Sequence, residues 1–189
     1  FYGHDCQIDK RTSFEINPRW FGNCHRALRL SFGFRAMPGA SDGYIFRMKS
    51  GRKDDSPIVN FFYEETSESY LFKLILEGNR FIAQLDIPKS QVRISQDWTD
   101  ISLTFDSDKD LATLCVGNDW EASGSIDLPN TIRPRIWFGK SEYLIDVPSF
   151  AINNLRISFD GDVISFPLDE DSGDIAGSSR WYLRGKAVN

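Results

Sequence analysis

The chain has 189 residues, of which 41% are hydrophobic and 14% aromatic, so it can bury an ordinary hydrophobic core and is not intrinsically disordered. Its formal net charge of −5 disfavours a nucleic-acid-binding protein, because such proteins use a basic face to displace counterions. No apolar run reaches the roughly 18 residues of a membrane-spanning helix, so no membrane span is predicted in this segment.

Alternation of apolar and polar residues dominates the chain and predicts half-buried β-strands. The clearest case runs from Leu28 to Ala36, where every second residue is apolar. Turn residues from Met37 to Gly43 end this strand. Further strands are predicted, in chain order, at 44–48, 58–63, 70–76, 81–86, 98–105, 111–116, 120–122, 132–138, 150–158 and 163–168.

Helical periodicity is weak everywhere. The longest stretch without Gly or Pro runs from Lys89 to Val116, and its second half has a period of two. Short helical turns stay open at 87–91 and 141–144. Many short strands at spacings of roughly 8–12 residues predict an all-β sandwich or barrel. Among the apolar residues of these strands, the expected core includes Trp98, Phe105, Leu114 and Phe138.

We interpret residues 1–189 as one domain taken from a longer chain. The first residue is Phe rather than Met, and no signal-like stretch follows it, which suggests a trimmed product. The last residues, Lys186 to Asn189, stop in the middle of a pattern and are interpreted as a cut at a domain border.

Three cysteines are present, at Cys6, Cys24 and Cys115, and no Cys-x-x-Cys motif occurs. An odd number does not define a disulfide framework. A bridge between Cys6 and Cys24 stays open, because sequence alone does not fix the separation of their Cα atoms. The alternative is that Cys24 and Cys115 are small buried apolar side chains.

Residues 98–106, Trp-Thr-Asp-Ile-Ser-Leu-Thr-Phe-Asp, resemble a characteristic strand of laminin-G-like, concanavalin A-like jelly-roll domains. The features that follow in that family are matched by Leu114–Asn118, Ile136–Gly139 and Phe150–Ile157. The resemblance implies a two-sheet antiparallel jelly-roll sandwich of about fourteen short strands. Because these motifs are structural, they imply a fold and leave the function open.

A narrower resemblance rests on Asp146-Val147-Pro148, on residues 166–170 and on Ala187-Val188-Asn189. These features are similar to a group of exported bacterial proteins in which a laminin-G-like domain precedes a β-propeller of Kelch-like repeats. The resemblance implies an extracytoplasmic accessory domain, in the periplasm or at the cell surface. A downstream β-propeller would then be a partner of this domain.

The sequence predicts neither a serine hydrolase nor a glycoside hydrolase. Gly39-Ala40-Ser41-Asp42-Gly43 spells G-x-S-x-G, but a nucleophile elbow has a strand before it and a helix after it, whereas here a strand follows. Some concanavalin A-like sandwiches are glycoside hydrolases that carry a Glu-x-Asp-x-Glu pattern on one strand face. That pattern does not occur in this sequence, and Asp169-Glu170-Asp171 is contiguous, so its members point to alternate sides. A glycosidase is therefore less favoured than a binding or docking module, and it is the more serious of the two enzyme alternatives.

Calcium is the one cofactor left open. Asp106, Asp108 and Asp110 have the spacing that begins a calcium loop, but Leu111 and Gly117 stand where an EF-hand needs Gly and Glu. A calcium site at the rim of the sandwich remains possible, and a solvated hairpin tip is the favoured interpretation. No other metal or cofactor is predicted.

The favoured function is non-catalytic carbohydrate binding, in which aromatic side chains stack on the sugar and polar groups hydrogen-bond it. Aromatic residues beside polar ones near turns give the predicted ligand-binding residues Trp20, Trp120, Asp119 and Tyr143. Trp181 is expected to pack against a neighbouring domain instead. The alternative is a protein-protein or interdomain docking module. An exposed aromatic in a concave polar site would favour sugar binding, and a flatter apolar patch would favour docking.

Overall fold

Strands, turns and irregular loops make up the backbone that the structure describes, and no helix occurs in it. This confirms the prediction of an all-β protein for these residues, and none of them forms a helix long and apolar enough to span a bilayer. The computed structural model describes residues 2–3, 13–16, 27–51, 53, 55–78, 80–129, 132–139, 146–168, 175–176 and 185–188.

Fifteen strands form two antiparallel sheets in this part of the chain. The seven-stranded sheet consists of β1 (Tyr2–Gly3), β3 (Ala27–Ala36), β8 (Thr99–Asp106), β9 (Leu111–Val116), β10 (Trp120–Ser125), β12 (Phe150–Phe159) and β13 (Asp162–Phe166). The eight-stranded sheet consists of β2 (Ser13–Ile16), β4 (Asp42–Lys49), β5 (Ile58–Glu65), β6 (Ser69–Leu76), β7 (Arg80–Pro88), β11 (Arg135–Gly139), β14 (Ile175–Ala176) and β15 (Gly185–Val188).

The spatial order of the strands shows many crossovers between the two sheets. The seven-stranded sheet runs β1-β12-β3-β8-β9-β10, with β13 also paired to β12. The eight-stranded sheet runs β14-β15-β2-β11-β4-β5-β6-β7. Two antiparallel sheets packed face to face in this way form the predicted sandwich.

The alternation along β3 explains how the sandwich is built. Leu28, Leu30 and Phe34 are completely buried, whereas Arg29 between them is exposed. The opposite strand, β8, pairs with β3 so that Leu30 faces Leu103 in the register. Because both strands alternate in phase, one face of the sheet is apolar and the other is polar.

Aromatic rings from both sheets meet in the core. Phe32 of β3 packs edge to face on Phe138 of β11, with ring centroids 5.5 Å apart. Phe34 packs in the same way on Phe72 of β6, at 5.9 Å. Such pairs add to the large apolar area that each ring removes from water. Three members of the predicted core are confirmed as completely buried: Phe105, Leu114 and Phe138.

The prediction of a buried Trp98 is wrong, because 43% of this residue is exposed. Strand β8 begins at Thr99, and its inward residues are Thr99, Ile101, Leu103 and Phe105. Trp98 is separated from Ile101 by three positions, so it shares the outward side with Asp100.

Four short strands were not predicted: β1, β2, β14 and β15. They have two to four residues each, too few for an alternation to be recognised. The strand β15, which includes Lys186, lies between β14 and β2 in the eight-stranded sheet. Pairing across the sheet, rather than local pattern, defines these strands.

The two sheets approach each other closely where β10 and β7 run side by side. Gly124 of β10 lies against the backbone of Ile82, and a Cβ atom at position 124 would overlap the carbonyl oxygen of Ile82. Ile82 itself lies at an irregularity where the pairing of β7 with β6 shifts register. A glycine is therefore required here by space.

We predict that Gly124→Ala destabilises the protein by about 1–3 kcal/mol, because the added methyl group forces the two strand backbones apart. A Gly-to-Ala change without such a clash would instead stabilise by roughly 0.4–1 kcal/mol through the unfolded chain. Urea unfolding of the variant, beside Ser125→Ala as the control on the same strand, measures the effect. A Gly124→Ala protein as stable as the parent would refute the close contact of β7 and β10.

Candidate functional site

The outer face of the seven-stranded sheet is mainly polar across β12, β3, β8, β9 and β10. One row of outward side chains crosses five neighbouring strands in register, from Arg156 through Ser31, Ser102 and Cys115 to Glu121. The inward neighbours of these residues form the core, so this polar face is a direct result of the alternation.

A groove of about 470 Å³ lies on this face, over β12, β3, β8 and the turn after β9. Its volume is in the range of small-ligand sites. The polar side chains among its lining residues are Arg29, Ser31, Asp100, Ser102, Asn118, Asn154 and Arg156.

One wall of the groove is the turn between β9 and β10. Gly117 has a φ of 60°, which an L side chain rarely adopts, and its N–H donates to the carbonyl of Asp100 at 2.7 Å. This hydrogen bond fastens the turn to the start of β8. As a result Asn118 and Asp100 contribute to the same groove.

The other wall is a break in the pairing of β12 with β3. The register shifts between Asn153 and Arg156, and Asn154 takes a φ of 50°. The N–H of Asn154 donates to the carbonyl of Pro167 at 2.9 Å, which holds the irregular segment in place. Such bulges re-aim side chains, and here Asn154 and Arg156 both line the groove.

Trp98 lies beside the groove, over the backbone of Gly33. A Cβ atom at position 33 would collide with Oδ1 of Asn153 and would lie 3.5 Å from the indole of Trp98. The guanidinium of Arg35 is 4.8 Å from the centroid of that indole, a distance typical of a cation-π contact. Gly33 thus lets a large aromatic side chain lie close to the sheet while 43% of it stays exposed.

Positively charged side chains outnumber negatively charged ones among the described lining residues of the groove. Arg29 and Arg156 supply two guanidinium groups, and Asp100 is the one carboxylate among the described lining residues. Nη2 of Arg29 donates a long hydrogen bond of 3.4 Å to Oγ of Ser102.

Cys115 belongs to the same polar face, so the expectation that it is a buried apolar side chain is wrong. It is partly exposed and unbridged, and its Sγ lies 3.6 Å from a carboxylate oxygen of Glu121. Partial burial raises the pKa of the Cys115 thiol, and the charge of Glu121 raises it further. Cys6 and Cys24, the candidates for a bridge, lie outside the described residues.

Of the predicted ligand-binding residues, the two that the structure describes, Trp120 and Asp119, do not line this groove. Trp120 is partly buried and packs against the core, and Asp119 is exposed in the turn next to Asn118. Trp20 and Tyr143 lie outside the described residues, as does Trp181. The sequence therefore located the turn between β9 and β10, which forms one wall of the groove. It did not identify Trp98 as a candidate ligand-binding residue, although the position of Trp98 in the alternation indicated the outer face.

In the aspartate-rich turn after β8, the first carboxylate, that of Asp106, interacts with other residues of the turn. Oδ1 of Asp106 accepts the N–H groups of Asp108 and Lys109, and Nζ of Lys109 lies 3.0 Å from Oδ2. The hydrogen bond from Lys109 lowers the pKa of Asp106. Within the described residues no cluster of three or more His, Cys, Asp or Glu side chains has the geometry of a metal site.

The segment Gly39 to Gly43 forms a loop, as predicted, and strand β4 begins within it at Asp42. It borders a second cavity of about 380 Å³ at one end of the sandwich, together with Tyr63, Glu65 and Ser149. The Tyr63 hydroxyl donates to Glu65 at 3.2 Å, and Ala40 donates its N–H to Oγ of Ser149 at 3.2 Å. Burial, with the charge of Glu65 as the next cause, raises the pKa of Tyr63, so its hydroxyl stays protonated.

The fold is the laminin-G-like, concanavalin A-like jelly-roll sandwich, as the sequence resemblance implied. No protein-family profile and no curated protein sequence matches the chain. Solved structures with the same fold include a SAP-like pentraxin from Limulus polyphemus, with a TM-score of 0.55 and 12% identity over 80% of this chain and 71% of that one.

Two further structures are similar at the same level. Domains LG4-5 of the mouse laminin alpha1 chain match with a TM-score of 0.52 and 13% identity, over 91% of this chain and 44% of that one. The enzymatically active domain of tailspike protein 2 from bacteriophage CBA120 matches with a TM-score of 0.51 and 11% identity, over 74% of this chain. The matched region is 23% of that tailspike chain. Identities this low establish the fold alone.

We predict that Cys115 is alkylated slowly at about pH 8, because its raised pKa leaves little thiolate at that pH. The rate should rise at higher pH than for an exposed cysteine in a short peptide. Glu121→Gln should lower the pKa and speed the reaction, whereas Glu68→Gln, on the other sheet, should not. Peptide mapping by mass spectrometry follows Cys115 separately from Cys6 and Cys24. Equal rates in the parent and Glu121→Gln would contradict the placement of Glu121 beside the thiol.

Proposed function

We propose that this chain binds carbohydrate in the groove of the seven-stranded sheet, with Trp98 as the stacking surface. The observation that carries the proposal is an indole exposed by 43% beside a concave polar groove. An exposed tryptophan brings a large apolar area that is costly to leave in water, and a ligand recovers that cost by covering it.

The chemistry of a pyranose suits this arrangement. One face of the ring presents C–H groups that can stack on an indole, and its edge carries hydroxyls that both donate and accept hydrogen bonds. Asp100 offers acceptors only, whereas the amides of Asn118 and Asn154 offer both donors and acceptors. The groove therefore has acceptors for hydroxyls that donate a hydrogen bond and donors for hydroxyls that accept one.

Arg35 adds to the stacking surface. Its guanidinium lies against the indole of Trp98, and its Nε is buried without a hydrogen-bond partner in the part of the chain that the structure describes. Contact with the cation restricts the orientation of the indole before a ligand arrives. A side chain ordered in advance loses less entropy on binding.

The groove supports the binding of a glycan without its hydrolysis. Glycoside hydrolases commonly place two carboxyl groups about the scissile bond. Asp100 is one such group, and the described lining residues supply no second. The similar tailspike domain is described as enzymatically active, so the test below includes hydrolysis as an outcome.

Docking to another domain or protein is the second candidate, and it has an observation of its own. The outer face of the eight-stranded sheet carries Tyr44, Phe62 and Trp137, and Phe81 is 60% exposed on the same face. The ion pair of the buried Arg47 with the exposed Glu77, at 2.8 Å, belongs to this face as well. In the register, Arg47 and Asn60 stand between Trp137 and Ile75 and interrupt the apolar surface, which favours the groove over this face.

The cellular setting that we propose comes from the sequence resemblance. It is an extracytoplasmic accessory domain of a bacterial protein, located beside a β-propeller of the same chain. The features that support it are the segments at 146–148, 166–170 and 187–189. Sugar binding at the groove does not depend on this setting.

We expect the purified 189-residue chain to bind specific glycans on an array, and Trp98→Ala to weaken that binding at least about tenfold, or about 1.4 kcal/mol. Trp98→Phe should keep part of the affinity, because a smaller aromatic ring still stacks. Trp120→Ala is the matched control, since Trp120 packs against the core instead of lying exposed beside the groove. Thermal unfolding verifies that each variant is folded.

The other outcomes separate the alternatives. No glycan bound by a folded chain would refute the proposal and favour docking through the eight-stranded sheet. Loss of binding in Trp120→Ala but not in Trp98→Ala would move the site to the turn after β9. Binding that requires calcium would implicate the loop from Asp106 to Asp110. Release of new reducing ends from a bound glycan would show that the chain is a hydrolase.

A further inference from the structure

Two arginines lie next to each other in the groove. Arg156 of β12 pairs with Ser31 of β3, and Arg29 of β3 pairs with Ser158 of β12, two positions further along the ladder, so the two arginines are diagonal neighbours. Alternation places both arginines on the outer face, so their guanidinium groups leave the sheet on the same side. Both line the groove.

Neither arginine is neutralised within the described residues. Arg29 donates to a serine hydroxyl at 3.4 Å, and Arg156 forms no ion pair. Arginines elsewhere differ, since Arg47 pairs with Glu77 at 2.8 Å and Arg135 with Glu15 at 2.7 Å. The groove thus keeps two like charges side by side in a chain whose net charge is −5.

Adjacent cations repel each other, so their placement is unfavourable until an anion lies between them. A guanidinium is planar and presents paired N–H donors that match the oxygens of a carboxylate or a sulfate. We infer that the sugar bound in the groove carries an acidic substituent, held between Arg29 and Arg156. This inference rests on the proposed function and names the ligand class of that site.

The position of Asp100 narrows the ligand further. Asp100 lines the same groove and would repel a second acidic group placed beside it. The neutral hydroxyls of the same sugar suit Asp100, which accepts hydrogen bonds, and Asn118, which both donates and accepts them. The expected ligand is therefore a sugar with one acidic group and free neighbouring hydroxyls, and a densely charged polyanion is disfavoured.

A paired glycan array tests this inference. It carries sialylated, uronate-containing and sulfated oligosaccharides, each beside its neutral counterpart made by carboxyl reduction or desulfation. We expect the 189-residue chain to bind acidic members at least about tenfold more tightly than their counterparts. Raising the salt concentration should weaken the acidic binding and leave neutral binding unchanged. Binding to the carboxylate-bearing members or to the sulfated members shows which of the two acidic groups the chain recognises.

Variants link the preference to the two arginines. Arg29→Gln and Arg156→Gln should each weaken the acidic glycan about tenfold or more and change the neutral counterpart far less. Arg156→Lys should keep part of the preference, because it retains the charge without the planar fork. Arg80→Gln, an exposed arginine of β7, is the control for the loss of one positive charge.

The outcomes distinguish this inference from the proposed function. Equal binding of acidic and neutral members, lost in Trp98→Ala, would overturn the acidic ligand and keep the sugar site. A preference for acid that survives in both arginine variants would also overturn the inference. No binding to any member by a folded chain would refute the sugar site itself.

Discussion

The alternation of residues along β3 and β8 is the constraint on which the rest of the structure depends. In these two paired strands every inward side chain is apolar or a small threonine, and every outward one except Ala27 is polar or glycine. Moving the register by one residue would turn Arg29 and Asp100 into the core, and burying such unpaired charges is very unfavourable. The same pattern that fixes the sandwich therefore also fixes which polar groups can line a groove on its surface.

The groove itself arises where this regularity is interrupted. A sheet with unbroken pairing has a smooth outer face and offers little concavity to a ligand. Here the bulge between Asn153 and Arg156 raises one wall, and the turn at Gly117 raises the other. Gly33 removes one side chain between them, so that Trp98 lies close to the sheet. Departures of this kind weaken local pairing and are expected at functional positions.

Sequence reasoning identified the strands with clear alternation and located them well. The limits of β9, Leu111 to Val116, were predicted at both ends because turn residues bound the pattern on each side. The walls of the groove could not be predicted in this way, since a bulge depends on how β12 pairs with β3 across 120 residues of chain. Trp98 was assigned to the core, although its spacing from Ile101 already indicated the outer face.

The similar structures share the fold of this chain, and at 11–13% identity they carry no information about its groove. At 11–13% identity a jelly roll can keep its inward alternation while every outward residue changes, because outward positions contribute little to the packing. The ligand of this chain must therefore be argued from its own outward residues. Among these, Arg29 and Arg156 are the least explained by stability, since two cations on neighbouring strands without an ion-pair partner among the described residues repel each other. A positive pair on an acidic chain also guides an anionic ligand toward one place on the surface, and thereby increases its rate of association. Arg29 and Arg156 therefore lower the stability of the folded chain, and the binding of an anionic ligand in the groove explains why they are there.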